Sequence, residues 1–249
     1  MIEVVALGAI LGVLITVSGV GAGVVTTPAL ILVAGLDPLS AVATGALFSA
    51  LLKIAIAAQH LRARRMSWPD TWVFLRVAVP VTLVIALATG ALYSRGYRAL
   101  INDVTSWAVI GCGLVALASL YSSVIGTWIA RAGRSAAAVT TGLFVGATGV
   151  GGGIFVVPAL VRAHQLDVKR AVATSIPIGL ILSFSVSLGL SSNGITNYLV
   201  VVWAILGGAL SLPFASWLFR VTSPRVVKLT TSVLILLSIL TLIVRVLGE

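Results

Sequence analysis

Eight long apolar segments, separated by short polar links, constrain the fold of this chain more than any other feature. They cover about 3–34, 38–60, 71–93, 101–127, 135–163, 168–190, 197–220 and 226–247 of the 249 residues. A helix needs about 20 apolar residues to cross a bilayer, and every segment reaches that length. Because the runs are continuous and do not alternate with polar residues, they predict helices and not the strands of a membrane barrel. The sequence therefore predicts an all-α integral membrane protein.

The scarcity of charged residues excludes several classes of function. Only 9% of the residues are charged, against about 25% in soluble domains, and the six Asp and Glu leave little material for acid–base catalysis. One cysteine, Cys112, permits no internal disulfide and no thiolate metal cage. The net charge of +10 is better explained by basic cytoplasmic loops than by nucleic acid. We expect no enzyme activity, no cofactor or metal, and no nucleic-acid partner.

The sequence repeats itself at a spacing of 130 residues. Residues 12–44 align without gaps to residues 142–174, and 14 of these 33 positions are identical. The identities fall in four elements: a Gly-x-Gly cluster, Pro-Ala-Leu, Leu-Asp and Ala-Val-Ala-Thr. We therefore predict two homologous halves, 1–130 and 131–249, within one membrane domain. Internal repeats of this kind, with a binding site near the midplane where they meet, are typical of transporters.

The distribution of basic residues predicts that the two halves are inverted relative to each other. If all eight segments crossed the membrane, the loop bases would divide five against eight between its two sides. If segments 1 and 5 instead enter, break at their glycines and return, eleven bases share one side and only Arg95 and Arg98 lie opposite. The eleven are Arg62, Arg64, Arg65, Arg131, Arg134, Arg162, Lys169, Arg170, Arg220, Arg225 and Lys228. This asymmetry fits a multi-pass protein of the cytoplasmic membrane with both termini outside.

The two glycine clusters are the candidate binding site. They occupy residues 18–23 and 148–153, and each precedes a short apolar stretch. A helix that begins inside the membrane presents free N–H groups and the positive end of its dipole, which together bind anions. Two such termini would surround an anion with N–H donors, so that the site would bind it without a formally charged side chain. The alternative is that the glycines only let helices pack closely. The candidates are Gly21, Ala22, Gly23, Gly151, Gly152 and Gly153.

Hydroxyls and one lysine extend this candidate site. Thr44, Thr174 and Ser175 lie in the first turns of segments 2 and 6, where they can face a polar cavity or bond back to their own helix. Lys53 is the one ammonium well inside a segment. It can snorkel to the cytoplasmic interface or guide an anion inward. Both interpretations of Lys53 remain open at this stage.

Other polar residues have structural explanations. Asp37 and Asp167 precede segments 2 and 6 and are expected to cap the following helices. His60 and His164 lie at segment ends, without metal-ligand spacing, and are expected at the interface. Cys112 is expected to pack in the core.

The duplicated motif resembles that of the sulfite exporter TauE/SafE family, also grouped as the 4-toluene sulfonate uptake permease family. In both halves an apolar segment carries Gly-x-Gly-(Ala/Gly)-Gly, then Pro-Ala-Leu after four residues, and then Asp followed by Ala-Val-Ala-Thr. The resemblance covers nearly the whole chain. It implies transport of sulfur oxyanions such as sulfite, sulfonates or thiosulfate, with the glycine and hydroxyl residues named above as the site. The first half departs from the second by Ala22 in place of Gly152 and Gly45 in place of Ser175.

The function we expect is export of a small sulfur oxyanion, sulfite above all, across a lipid bilayer. The alternative on the same scaffold is an importer of organosulfonate, thiosulfate or another small organic anion. A membrane enzyme would need a nucleophile, a metal set or an acid–base pair within the membrane, and an assembly subunit would leave the paired glycine motifs unexplained. The sequence does not predict an oligomeric state.

Overall fold

All regular structure in the described residues is helical, as the sequence predicts. The computed structural model describes residues 1–18, 23–62, 66–121, 124–149, 153–162, 164–221 and 224–248. Their helices are α1 (Ile2–Ser18), α2 (Gly23–Ala34), α3 (Pro38–Arg62), α4 (Trp68–Ser94), α5 (Arg98–Tyr121), α6 (Val124–Thr148), α7 (Gly153–Arg162), α8 (Val168–Ser191), α9 (Tyr198–Val221) and α10 (Pro224–Gly248).

Five of these helices contain a stretch long and apolar enough to cross a membrane. The stretches are Pro38–Ala58, Trp68–Ser94, Arg98–Ser119, Arg170–Ser191 and Tyr198–Ala215. Shorter apolar helices cover Ile2–Thr16, Gly23–Ala34 and Leu229–Val244. The all-α membrane class is therefore confirmed.

Predicted segments 1 and 5 each contain a helix end and a new helix start. Segment 1 comprises α1 and α2, and segment 5 comprises the last part of α6 together with α7. Within α6, Gly133 has φ 83° and interrupts the helical backbone just before segment 5 begins. The 17 residues of α1 reach about 25 Å and the 12 of α2 about 18 Å. Segment 1 is thus a long helix followed by a short one.

The 130-residue spacing of the sequence is also a spacing of helix starts. The equivalent pairs are Gly23 and Gly153, Pro38 and Val168, and Trp68 and Tyr198. The links after α2 and α7 repeat as well, because Gly35 (φ 64°) and Gln165 (φ 58°) occupy equivalent left-handed positions.

Helices of the two halves pack against each other in matching pairs. Helix α1 lies along α9, and α6 lies along α4. The backbones of α1 and α9 touch, since a Cβ on Gly8 would stand 2.1 Å from the Ala204 carbonyl oxygen and one on Gly207 would stand 1.9 Å from that of Val5. Small residues of this kind let helices approach closely in lipid. The pairing joins the N-terminal helix to a partner about 200 residues later in the chain.

Candidate functional site

Helices α2 and α7 begin at equivalent glycines of the duplicated motif. Gly23 is the first residue of α2 and Gly153 the first of α7. The first four N–H groups of a helix have no partner within it, so both starts offer donors to an anion. The other candidates of the two clusters, Gly21, Ala22, Gly151 and Gly152, lie outside the described residues.

One glycine of the second cluster has a structural role of its own. Gly149 has φ 61°, a left-handed conformation that favours glycine, and its N–H donates to the Val145 carbonyl at 2.8 Å. A Cβ at this position would lie 2.8 Å from Cγ1 of Val42 in α3. Both the turn after α6 and close packing therefore require glycine here, as the packing interpretation proposes for the cluster.

The two motif threonines bind the backbone of the opposite half. Thr44 of α3 accepts a hydrogen bond from the Asn197 N–H at 3.1 Å, and Thr174 of α8 accepts one from the Ser67 N–H at 3.0 Å. Both threonines are fully buried, and both donors lie just before the equivalent helices α9 and α4. Ser175 instead donates back to the Val172 carbonyl of its own helix at 2.8 Å. The two threonine hydrogen bonds thus connect the start of α4 to α8 and the start of α9 to α3.

Lys53 lies buried at the contact between α3 and α8. Its Nζ donates to Ser183 Oγ at 3.0 Å and to the Gly179 carbonyl at 3.3 Å, and only 6% of the residue is exposed. Ser183 is the residue equivalent to Lys53 in the repeat. Among the described residues, no carboxylate pairs with this ammonium. Snorkelling to the interface is therefore wrong for Lys53, since its head group is bound inside the protein.

The three contacts between these elements also fix their relative direction. Going along α3 from Thr44 through Lys53 and on to Ser67, just before α4, the partners run backwards from Asn197, just before α9, through Ser183 to Thr174 of α8. Two equivalent helices therefore cross in antiparallel orientation, at equivalent positions.

The expected N-caps are confirmed. The Asp37 carboxylate accepts the Ser40 N–H at 3.2 Å at the start of α3. The Asp167 carboxylate accepts the Arg170 N–H at 3.3 Å at the start of α8. Both aspartates thus stabilise helix starts, as residues in this position commonly do.

A pair between a buried histidine and a partly exposed aspartate is the main polar feature that the sequence did not predict. His164 Nδ1 lies 2.9 Å from Asp70 Oδ1, while Ser67 Oγ donates to Asp70 Oδ2 at 2.5 Å. The His164 side chain is fully buried in the protein, and its expected position at the level of the membrane interface stays a prediction. Its Nε2 has no hydrogen-bond partner among the described residues. The histidine and aspartate lie 94 residues apart in the sequence, with no spacing signal to connect them.

The described residues offer no metal site of the usual kind. No group of three His, Cys, Asp or Glu side chains comes together in them. Cys112 is buried, as expected, with Sγ 3.9 Å from Thr148 Oγ1. What the described residues do offer for binding are N–H donors, hydroxyls and one ammonium, and these groups suit an anion.

A comparison with known families gives a match over nearly the whole chain. The family described as Sulfite exporter TauE/SafE matches residues 4–242. No curated protein and no solved structure matches the chain.

Proposed function

This chain belongs to the sulfite exporter TauE/SafE family, and from that premise we propose that it exports a small sulfur oxyanion, sulfite above all. Membership implies a membrane transporter of sulfur anions, and the apolar helices agree with that class. The observation that carries the proposal is the pair of helices that begin at equivalent glycines of the duplicated motif, at Gly23 and Gly153. Helix starts of this kind provide N–H donors for an anion.

The proposed architecture is a pair of inverted repeats, 1–130 and 131–249, in the cytoplasmic membrane. Each repeat has three spans and one broken, re-entrant segment. The antiparallel crossing of α3 and α8 supports inversion, because equivalent helices related by an axis in the membrane plane must run in opposite directions where they meet. The mutual exchange of hydrogen bonds by Thr44 and Thr174 follows the same two-fold relation.

The proposed binding residues are the glycine clusters and the hydroxyls next to them. Thr44 and Thr174 each accept one backbone N–H and keep their own hydroxyl hydrogen for donation. Accepting a bond polarises a hydroxyl and strengthens it as a donor. The full proposed set is Gly21, Ala22, Gly23, Thr44, Gly151, Gly152, Gly153, Thr174 and Ser175, with Lys53 on the anion pathway.

Energetics favour the outward direction. An inside-negative membrane potential drives an anion outward with about 2.3 kcal/mol per charge per 100 mV. Export therefore needs no coupling ion, whereas import of the same anion must be coupled to another gradient.

One observation favours the alternative, import of an organosulfonate, thiosulfate or another small organic anion. The His164–Asp70 pair joins two ionisable side chains, the histidine fully buried and the aspartate 22% exposed, and ionisable groups inside transporters mark proton relays. Import would use such a relay to move the anion against the potential.

Flux in proteoliposomes tests the two directions. Sulfite, thiosulfate, sulfoacetate and sulfate are loaded inside or outside, with and without an imposed potential. We expect sulfite to move toward the positive side without any proton gradient. Accumulation of a sulfonate that requires an inward proton gradient would support the importer instead.

Cysteine labelling tests the inverted topology. In a Cys112→Ser background, single cysteines are placed within 62–65 and within 162–170. We expect both positions to react from the cytoplasmic side. Labelling from opposite sides would exclude a re-entrant segment 5.

A further inference from the structure

Within the part of the chain that the structure describes, two buried hydroxyls of the first half make no hydrogen bond. Thr26 of α2 is fully buried and Ser49 of α3 is 4% exposed, and neither side-chain oxygen makes a hydrogen bond. Leaving a buried hydroxyl unsatisfied costs free energy, so native proteins pair nearly all such groups. An unpaired hydroxyl in the protein interior therefore points to a ligand that supplies the missing bond.

Both hydroxyls lie near the start of α2. Helices α2 and α3 form an antiparallel hairpin joined by residues 35–37, and a Cβ on Gly45 would lie 3.0 Å from Cγ2 of Thr26. Thr26 is thus level with Gly45. From this common level, Gly23 lies about 4.5 Å along the axis of α2, and Ser49 lies about 6 Å along α3 in the same direction. The N–H groups at the start of α2 are therefore at about the level of Ser49.

Lys53 continues the same face of α3. Gly45, Ser49 and Lys53 are spaced by four residues, so they line one side of the helix. Lys53 lies one turn beyond Ser49, and among the described residues its ammonium has two neutral acceptors and no carboxylate. A desolvated cation without a countercharge is costly, and a bound anion would remove that cost.

The second half has none of these groups at the equivalent positions. Val156 replaces Thr26, Gly179 replaces Ser49 and Ser183 replaces Lys53. Val156 is fully buried, and the Gly179 carbonyl and Ser183 hydroxyl only accept from Lys53. Among the described residues, the unpartnered hydroxyls and the buried ammonium therefore belong to the first of the two hairpins.

We propose that the negative charge of the substrate is bound in the first half alone, by the N–H groups of α2, the hydroxyls of Thr26 and Ser49, and the ammonium of Lys53. The ligand is a small anion with several oxygens on one central atom, because it has to accept from N–H, hydroxyl and ammonium donors carried by both α2 and α3. In its absence Lys53 bonds to α8, and on binding it turns to the anion. The inference rests on the proposed function, since it states where in the protein the charge of the transported anion is bound.

Binding of sulfite to the purified full-length protein tests this assignment. Affinity is measured by calorimetry and by the thermal shift that sulfite confers, for the parent and for Thr26→Val, Ser49→Ala and Lys53→Gln. We expect each hydroxyl variant to bind about tenfold more weakly, since each loses a hydrogen bond to a charged group. We expect Lys53→Gln to lose about 100-fold, because it loses the countercharge.

The thermal stability without ligand separates binding from packing. Removing a hydroxyl that has no partner relieves a desolvation cost. Thr26→Val and Ser49→Ala should therefore keep or raise the melting temperature of the free protein while they lower its affinity for sulfite. The matched control is Ser185→Ala, whose buried hydroxyl does have a partner, the Ile181 carbonyl at 2.9 Å. This control should retain the parental sulfite affinity.

The outcomes distinguish this inference from the proposed function. If Thr26→Val and Ser49→Ala both bind sulfite with parental affinity, the assignment to the first half is overturned, while transport by the parent still supports the proposed function. If the parent neither binds nor transports sulfite, thiosulfate, sulfoacetate or sulfate, the proposed function itself is wrong. The two hydroxyl variants keep the test decisive even if Lys53→Gln does not fold.

Discussion

The hairpin α2–α3 and its equivalent α7–α8 share a helix start at glycine, a proline in the short helix and an aspartate cap on the long one. They differ in what lines them. The first hairpin carries two unpartnered hydroxyls and an ammonium, whereas the second carries valine, glycine and serine at those positions. The two hairpins therefore share the residues that shape the backbone and differ in their polar side chains.

The difference indicates which residues act in pairs and which act alone. The exchange of hydrogen bonds by Thr44 and Thr174 needs both halves, so both threonines are retained. In the proposed two-fold arrangement, ammoniums at both equivalent positions would place two like charges together. One lysine facing a serine is the simplest arrangement that avoids this repulsion.

The largest effect is expected where the halves touch most closely. Gly8→Ala places a methyl group against the Ala204 carbonyl, so we expect loss of folded protein or a destabilisation above about 3 kcal/mol. The equivalent residue in the second half is already alanine, Ala138, and Ala138→Gly should cost only about 1 kcal/mol. Thermal unfolding and size-exclusion chromatography in detergent measure both. A Gly8→Ala variant with parental stability would contradict the backbone contact between α1 and α9.

A second comparison uses the two helix starts. Gly23→Ala and Gly153→Ala each add one methyl group beside the N–H donors. If the charge of the anion is held in the first half, Gly23→Ala should weaken sulfite affinity about tenfold or more and Gly153→Ala about threefold. Flux and thermal shift with sulfite give both values. Loss of stability together with activity would instead assign these glycines to packing, and parental affinity in both variants would remove them from the site.

A third pair of variants tests the symmetric part of the structure. Thr44→Val leaves the Asn197 N–H without its acceptor, and Thr174→Val does the same to the Ser67 N–H. Each should destabilise the protein by about 1–3 kcal/mol, and the two costs should agree within a factor of two. Unfolding of both variants in one detergent provides the comparison. A cost at only one threonine would show that the two bonds are not equivalent.

The smallest effect is expected at Ser175, where the first half has Gly45. Its hydroxyl donates to the Val172 carbonyl of its own helix, so Ser175→Ala should change stability by less than about 0.5 kcal/mol, and as one member of the proposed binding set its loss should lower flux about two- to threefold. A larger loss of flux at parental stability would indicate that the hydroxyl turns to the substrate during transport.

The parts of the fold that local chemistry determines could be predicted from the sequence. The glycine clusters marked the helix starts at Gly23 and Gly153, and the aspartates marked the starts of α3 and α8. These features depend on residues within a turn or two of one another. Because the sequence repeats at a spacing of 130 residues, each of these features occurs once in each half.

The polar contacts between distant helices could not be predicted in the same way. Thr26 and Ser49 look like ordinary hydroxyls of apolar helices, and only the three-dimensional structure shows that they are buried without partners. The His164–Asp70 pair joins the end of α7 to the first turn of α4. Lys53 stands out in the sequence as a charge within an apolar segment, but its partner Ser183 depends on the crossing of α3 and α8, which the sequence does not show.

The pairing of α1 with α9 has a consequence for the biogenesis of this protein. The glycine face of α1 around Gly8 has its close partner in α9, which leaves the ribosome some 200 residues later. The first helix must therefore wait in the bilayer, or beside an insertion factor, while most of the chain is synthesised. Assembly of the transporter then completes late and all at once, so a chain truncated before α9 should be recognised and degraded as an orphan.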